Sequence, residues 1–278
     1  MSSVREWLAD GARHLRGADA RFETECLLCH VLGVSRAWLV AHADDEIDIA
    51  QGAIVDALLA RRARGEPIAY LTGVRGFHAL ELKVTPDVLI PRPETELLVE
   101  LALRRISIDT TGDIADLGTG SGAIALAIAK ERPNVRVVAI DASEAALIVA
   151  RNNAARLELH NIEFAQGNWY SALNEADRFD MIVANPPYIA EGDPHLSQGD
   201  LRFEPHAALV SGVDGLDAIR AIVRCARAHL REGGWLLFEH GFDHGQAART
   251  LLEEHGYAEI FTAHDLEDRE RVSAARSI

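Results

Sequence analysis

Residues 181–188 read Met181-Ile182-Val183-Ala184-Asn185-Pro186-Pro187-Tyr188, a short apolar run that ends in two prolines. Such a run is typical of a buried strand. The strand has to stop at the prolines, because neither can donate a backbone hydrogen bond and each holds the preceding residue extended. The sequence thus predicts a stiff corner with two acceptors, the Asn185 side-chain oxygen and the Pro186 carbonyl, beside the flat ring of Tyr188. This corner suits a planar –NH2 group, although a plain turn with a packed tyrosine would use the same residues.

The segment from residue 113 onward alternates short apolar runs with amphipathic stretches, which indicates a mostly parallel α/β sheet. We predict strands at 114–117, 135–140, 162–165, 181–184, 235–239, 258–262 and 272–275, and helices at 122–132, 144–157, 216–230 and 244–254. Asn185 then lies at the carboxyl end of the fourth strand, at the edge where open parallel sheets bind ligands.

The first predicted strand leads into Asp116-Leu117-Gly118-Thr119-Gly120-Ser121-Gly122. Glycines let the backbone turn sharply and approach a ligand closely. The GxGxG spacing differs from the GxGxxG dinucleotide fingerprint, and Lys130 is misplaced for a phosphate-binding P-loop. The sequence therefore favours a ligand-binding turn that does not cradle phosphates.

Two further residues follow the neighbouring strands. Asp141 ends the second strand, where a carboxylate can accept hydrogen bonds from both ribose hydroxyls, or could instead cap the next helix with Ser143. Trp169, in Gly167-Asn168-Trp169 after the third strand, could border an adenine ring or pack on the surface. A nucleoside without a phosphate-binding loop suggests S-adenosylmethionine, whose positive sulfonium fits an acidic pocket.

The composition is acidic, with 28 basic and 43 acidic residues and a formal charge of −15. Such a surface repels phosphate backbones, so we expect no direct nucleic-acid partner. Three sparse cysteines favour reduced thiols and a cytoplasmic protein. Cys26 and Cys29 form a CxxC on a predicted helix without a second pair at zinc spacing, so we expect core thiols and no metal site. We expect neither a signal peptide nor a membrane span.

The first 72 residues lack strand alternation and predict a small helical domain. Its helices are expected to begin near Val4, to cover 20–32, to run from Ser35 through Val40 and to include 54–59. Asp19 and Ser35 are the predicted caps. Residues 66–73 are interpreted as a loop because of their proline and glycine.

A β-hairpin is predicted next, from alternation at 80–84, a turn at Pro86-Asp87 and a second strand at 88–90. We therefore expect a helical domain at 1–72, a hairpin linker at 73–92 and the α/β domain at 93–278. The last opens with a helix capped near Thr95.

The combined motifs resemble known methyltransferases. The loop at Asp116–Gly122 with Asn185–Tyr188 is similar to class I methyltransferases that modify planar nitrogens. Other stretches resemble the peptide chain release factor glutamine methyltransferases, the PrmC or HemK family, and the similarity continues to Glu270-Arg271-Val272. These stretches are Pro67-Ile68-Ala69-Tyr70-Leu71-Thr72-Gly73, Leu89-Ile90-Pro91-Arg92-Pro93-Glu94-Thr95-Glu96, Asp200-Leu201-Arg202-Phe203-Glu204-Pro205 and Glu239-His240-Gly241.

The resemblance implies a class I S-adenosylmethionine-dependent fold, Rossmann-like with a mostly parallel seven-stranded sheet, behind a small helical domain and a β-hairpin connector. It implies methyl transfer to N5 of the glutamine in the Gly-Gly-Gln motif of bacterial class I release factors, with S-adenosylhomocysteine as product. The implied cofactor residues are Gly118, Thr119, Gly120, Ser121, Gly122, Asp141, Trp169 and Asn185. The implied substrate residues are Asn185, Pro186, Pro187 and Tyr188, of which Asn185, Pro186 and Tyr188 are the predicted catalytic ones.

Three alternatives remain open at this level. A DNA adenine N6-methyltransferase acts on a similar amino group, but it would have to hold a polyanion against the acidic charge. A glutamine methyltransferase for a ribosomal protein shares the chemistry. A non-catalytic adaptor would not need the Asn185 corner. The helical domain either docks a protein substrate or stabilises the α/β domain.

The roles of several polar residues are also left open. Arg92, Glu94, Thr95 and Glu96 could line the cofactor entrance or cap the following helix, and Arg202 and Glu204 could contact the substrate or each other. We expect His240 to be a hydrogen-bonded core or rim histidine, and His195 to be solvated.

Overall fold

The computed structural model describes residues 2–15 and 17–278. The chain divides into two compact units, one of Met1–Val74 with Ser197–Phe203 and the other of Arg75–Leu196 with Glu204–Ile278. Within the described residues, no helix combines the length and the apolar character needed to cross a bilayer.

The first unit is helical, as predicted. Its helices are α1 (Val4–Leu15), α2 (Ala20–Leu32), α3 (Arg36–Ala41), α4 (Ile49–Ala63) and α5 (Ile68–Thr72). Apolar faces of these helices bury one core that includes Leu27, Leu39 and Val55. Burial of such faces against each other, more than helix propensity, stabilises short helices of this kind.

Two predictions in this unit are wrong. Asp19 precedes α2 without a side-chain capping bond. Residues 68–72 form the short helix α5 where a loop was predicted. Pro67 lies before its first turn, where a missing N–H costs nothing, and Gly73 ends it with a φ of 71°. Proline and glycine here mark the two ends of a helix, and its brevity conceals the helical period.

The predicted cap at Ser35 is confirmed, since its side chain accepts a hydrogen bond from the Trp38 N–H at 3.2 Å. Ser35→Ala should lower the free energy of unfolding by about 1 kcal/mol, because that N–H loses its side-chain acceptor. Ser35→Asp should retain most of the stability. Denaturant unfolding of the three proteins, followed by tryptophan fluorescence, checks this. Equal loss in both variants would contradict the capping role.

The second unit begins with a hairpin that is displaced from its predicted position. Its strands are β1 (Val74–Phe77) and β2 (Leu80–Lys83), and residues 88–90 are not a strand. The turn at His78 and Ala79 has φ angles of 43° and 58°. Two-residue hairpin turns require such positive angles, which glycine and asparagine usually supply. Since neither residue stands here, the sequence carries no signal for the turn.

A seven-stranded sheet forms the centre of the second unit, as predicted. Its strands are β3 (Gly112–Leu117), β4 (Val135–Asp141), β5 (Ile162–Gln166), β6 (Phe179–Ala184), β7 (Leu230–Glu239), β8 (Ala258–His264) and β9 (Glu270–Arg276). They lie in the order β5-β4-β3-β6-β7-β9-β8. Only β9 runs antiparallel to its neighbours. Each strand falls within a few residues of its predicted position.

Five helices accompany the sheet, namely α6 (Glu96–Leu103), α7 (Ala123–Glu131), α8 (Glu144–Arg156), α9 (Asp217–His229) and α10 (Gly245–Glu254). Alternate strand residues bury on opposite faces. Ile114 and Val183 join a core with α6 and α7, whereas Leu117 and Ile140 join a second core with α9 and α10. Burial on both faces explains why the parallel strands are nearly continuous apolar runs.

The strand register aligns the ends of the central strands. Leu117 of β3 lies opposite Ile140 of β4 and opposite Ala184 of β6. The next residue of each strand, Gly118, Asp141 or Asn185, therefore follows at the same edge of the sheet. The predicted motifs meet there because parallel strands end in register.

Candidate active site

A cavity of about 480 Å³ opens at this carboxyl edge. Its walls include the glycine loop, the end of β4, the turn after β5 and the corner after β6. Of the predicted site residues, those that line it are Gly118, Thr119, Gly120, Ser121, Asp141, Trp169, Asn185 and Pro187. Gly122, Pro186 and Tyr188 are not among its lining residues.

The glycine loop holds a backbone that other residues would strain. Gly118, Gly120 and Gly122 have φ angles of 75°, 56° and 86°. A Cβ added at Gly122 would come within 2.8 Å of the Leu126 side chain, whereas one at Gly120 would meet no atom within 4 Å. Gly122 therefore permits close helix packing, and Gly120 leaves open space at the cavity wall.

Asp141 is held by two backbone donors. Its Oδ2 accepts from the Gly120 N–H at 2.8 Å, and its Oδ1 accepts from the Ser143 N–H at 2.9 Å. The cap of α8 is Ser143 itself, whose hydroxyl accepts from the Ala146 N–H at 3.2 Å. The Asp141 carboxylate is thus fixed at the cavity wall with lone pairs still available for further donors.

Trp169 lies opposite the glycine loop. Its ring approaches Gly118 so closely that a Cβ there would lie 3.4 Å from it. The residue has a φ of 52°, an uncommon conformation for a bulky side chain. It is partly buried and lines the cavity. Strained residues of this kind persist where surrounding structure holds them, and they occur often at ligand sites.

Asp116 is fully buried beneath the glycine loop. Its Oδ2 accepts from the Thr119 hydroxyl at 2.7 Å and from the Ala125 N–H at 3.2 Å. Burial raises the pKa of Asp116 to about 7, because an ionised carboxylate loses its hydration there. The two hydrogen bonds oppose this shift without cancelling it.

The raised pKa of Asp116 makes the free energy of unfolding depend on pH. Between about pH 4 and pH 7 the folded protein keeps the Asp116 proton while the unfolded chain has lost it. The folded state binds more protons, so the contribution of Asp116 to unfolding free energy falls as the pH rises through this range. Asp116→Asn should therefore gain stability relative to wild type from pH 4 to pH 7. Parallel stability curves in denaturant titrations would contradict the assignment.

The corner after β6 is tied to residues far away in the chain. The Asn185 Nδ2 donates to the Thr95 hydroxyl at 3.0 Å, and the Tyr188 hydroxyl donates to Glu239 Oε1 at 3.1 Å. Thr95 and Glu239 are 3% and 1% exposed. Burial raises the pKa of Glu239, and the nearby Thr95, Arg271 and Tyr188 oppose that shift.

Thr95 and Glu239 were not singled out for this role by the sequence. Thr95 was interpreted as a helix cap or an entrance residue, but its side chain makes no capping bond to α6. Glu239 ends the apolar strand β7. A carboxyl group at the end of a buried strand is a usable signal, because such groups are seldom buried without partners.

The other polar candidates have different hydrogen-bond partners. Arg92 lines the cavity and donates to Glu204 Oε2 at 2.5 Å. The Arg202 guanidinium donates to the Gly199 and Arg64 carbonyls. Glu96 accepts from the N–H of the hairpin residue 78.

Two histidines behave as predicted. His240 is fully buried between the Gly241 carbonyl and the Ser273 hydroxyl, at 2.8 and 2.9 Å. Burial lowers the pKa of His240 to about 4, so it is neutral at physiological pH. His195 is exposed and pairs with Asp193.

The CxxC cysteines lie on α2 with free, partly buried thiols. Burial raises the pKa of both Cys26 and Cys29. A raised pKa keeps the thiol protonated, which is the unreactive form.

Comparison with known proteins gives the fold a class. The PrmC N-terminal domain model matches residues 6–73, and the Methyltransferase small domain model matches residues 93–200. The structure of a Thermus thermophilus 16S rRNA N2 G1207 methyltransferase, solved with AdoMet and guanosine, covers 74% of this chain and 50% of its own, at 22% identity and a TM-score of 0.55. The fold is that of a class I, Rossmann-like methyltransferase.

Closer relatives narrow the class. A release factor glutamine methyltransferase of Xylella fastidiosa (strain Temecula1) is 54% identical over 92% of this chain and 93% of its own. One from Burkholderia pseudomallei is 52% identical over 99% of both chains. The chain belongs to the release factor glutamine methyltransferase family.

Proposed function

We propose that the protein transfers a methyl group from S-adenosylmethionine to the side-chain N5 of the glutamine in the Gly-Gly-Gln motif of bacterial class I release factors. This modification would modulate translation termination. One observation carries the proposal: in a chain of this family, Asn185 borders the same cavity as the glycine loop, Asp141 and Trp169. A group that can orient an amide thus lies beside a pocket shaped for a nucleoside.

The cavity residues fit the methyl donor. We assign its binding to Gly118, Thr119, Gly120 and Ser121 together with Asp141, Trp169 and Asn185. Gly122 does not line the cavity, and it would act through its close packing against Leu126. Asp141 would accept from the ribose hydroxyls, Trp169 would border the adenine, and the open wall at Gly120 admits close approach of a ligand. When bound, S-adenosylmethionine supplies an electrophilic methyl group and leaves as S-adenosylhomocysteine.

The corner residues would hold the substrate. An amide nitrogen is a poor nucleophile, because its lone pair is delocalised into the carbonyl. Asn185 Oδ1 and the Pro186 carbonyl would accept hydrogen bonds from the two N–H groups of the substrate amide. These bonds would aim the amide nitrogen at the methyl carbon, with Pro187 and Tyr188 as flanking contacts. Positioning of this kind supplies up to about 7–11 kcal/mol of a barrier. As the nitrogen–carbon bond forms and the carbon–sulfur bond breaks, positive charge moves toward nitrogen, so these acceptors also stabilise the transition state. The methylated nitrogen then releases one proton to water.

The helical residues 1–72 are proposed to dock the protein substrate, with 73–92 as linker and 93–278 as the methyltransferase domain. A Gly-Gly-Gln loop is too small to provide specificity alone, so contacts elsewhere are required. The acidic charge of −15 favours a protein partner over nucleic acid. We place the reaction in the cytoplasm, where release factors act, without a membrane partner.

The test is methyl transfer from labelled S-adenosylmethionine to four substrates in parallel. These are a purified bacterial release factor, the same factor with its motif glutamine replaced, a ribosomal-protein fraction and duplex DNA. We expect label on the first substrate alone. Label on ribosomal protein or on DNA, with an unlabelled release factor, would overturn the proposed substrate.

A further inference from the structure

The Asn185 side chain carries an acceptor oxygen at one end of its amide and two N–H donors at the other. Rotation by 180° exchanges these ends with little change in shape. We propose that Thr95 and Glu239 are positioning residues that hold the Asn185 amide with its oxygen toward the substrate. The inference deepens the proposed function and rests on it.

The orientation of the Asn185 amide decides whether the corner can bind the substrate –NH2 group. The substrate –NH2 group offers only donors, so it needs an oxygen opposite. A reversed Asn185 would present its own N–H bonds, and two donors would face each other. One of the two acceptors at the corner would be lost, and the glutamine nitrogen would no longer be aimed by both hydrogen bonds.

The contacts around Asn185 select one orientation of its side-chain amide. Its Nδ2 donates to Thr95 Oγ1 at 3.0 Å. Because that oxygen accepts, the Thr95 hydrogen is free to point elsewhere. The Glu239 carboxyl group lies nearby, and its Oε2 is buried without a hydrogen-bond partner among the described residues. The Glu239 carboxyl group already accepts from the Tyr188 hydroxyl at Oε1, and a carboxyl oxygen that carries no proton can only accept. The donors therefore run in one direction, from Asn185 to Thr95 to Glu239, and Asn185 Oδ1 is left for the substrate.

Glu239 is well placed to be the final acceptor in this series of hydrogen bonds. It is 1% exposed, so water does not compete for its oxygens. The Tyr188 hydroxyl donates to Oε1 at 3.1 Å, so the carboxyl group near Thr95 also holds the other end of the corner. Arg271, which pairs with Asp265 at 3.2 Å, adds favourable positive charge nearby.

Four variants separate positioning from simple packing. Thr95→Val keeps the shape of the side chain and removes its hydroxyl, whereas Thr95→Ser keeps the hydroxyl. Glu239→Gln keeps the size of the side chain but introduces N–H donors, which can reverse the direction of hydrogen-bond donation. Thr262→Val is the matched control, because its hydroxyl, bonded to Arg249 and Ser273, lies on β8 outside the cavity walls.

The experiment measures kcat and KM for methyl transfer to a purified release factor, with S-adenosylhomocysteine affinity by calorimetry and thermal unfolding alongside. We expect kcat to fall about 10-fold in Thr95→Val and in Glu239→Gln, with cofactor affinity changed less than about 3-fold. Thr95→Ser should restore kcat to within about 3-fold of wild type, and Thr262→Val should match wild type.

The outcomes are distinguishable. A wild-type protein that does not methylate the release factor overturns the proposed function. An active wild type with unchanged kcat in either Thr95→Val or Glu239→Gln overturns the positioning role, as does a Thr95→Ser variant as slow as Thr95→Val. If Thr95→Val does not fold, the kcat of Glu239→Gln and of Thr95→Ser decides by the same criteria.

Discussion

Asn185→Ala is expected to lower kcat about 100- to 1000-fold at saturating methyl donor and release factor. Loss of one preorganised polar group that acts on the transition state typically costs this much, about 3–4 kcal/mol. Asn185 borders the cavity, and Thr95 holds its amide at 3.0 Å, so the oxygen is lost from a prepared position. Cofactor affinity should fall much less, because the glycine loop and Asp141 remain in place.

Steady-state kinetics against both substrates, with calorimetric titration of S-adenosylhomocysteine, checks this result. Asn174→Ala is the matched control, since Asn174 lies in an exposed turn where it bonds Asp177. It should have wild-type kcat. An Asn185→Ala enzyme that turns over at the wild-type rate when both substrates saturate would rule out the proposed role of the corner.

Asp141→Ala is expected to lower cofactor affinity much more than kcat, the reverse of Asn185→Ala. It should weaken binding of S-adenosylmethionine and S-adenosylhomocysteine about 10- to 100-fold, because hydrogen bonds to a charged group contribute about 1.5–3 kcal/mol. The Gly120 N–H, 2.8 Å from Asp141 Oδ2, also loses its acceptor, so the glycine loop becomes less well held. At saturating cofactor, kcat should stay within about 5-fold of wild type, since uniform binding affects KM.

Calorimetry with S-adenosylhomocysteine measures the affinity directly. The control, Asp177→Ala, removes a carboxylate that accepts from the Asn174 N–H at 2.8 Å in a turn outside the cavity walls. Its affinity should equal that of wild type. Unchanged cofactor affinity in Asp141→Ala would show that this carboxylate does not contact the ribose.

The order of elements was predictable because the periodicities are strong. The buried strands of the parallel sheet are continuous apolar runs, and Ser35 carries a recognisable helix-start signal. The hairpin was misplaced because its turn at His78 and Ala79 uses residues that do not favour positive φ. Helix α5 was missed because five residues are too few to display a helical period.

The sheet, the helical first unit and the local chemistry of each loop follow from the order of the amino acids alone. Spacing within a motif shows that Gly118 follows one strand and Asn185 another, and parallel topology then places both at one edge. These inferences succeed because the information is contained in neighbouring residues.

Contacts between side chains that are distant in the sequence depend on the tertiary fold. Asn185 and Thr95 are 90 positions apart, and Tyr188 and Glu239 are 51 apart. The pairing of Arg92 with Glu204 likewise depends on the path of the chain between them. Such contacts arise when buried polar groups have to find partners within a packed interior, and the geometry of that packing is not encoded in any local pattern.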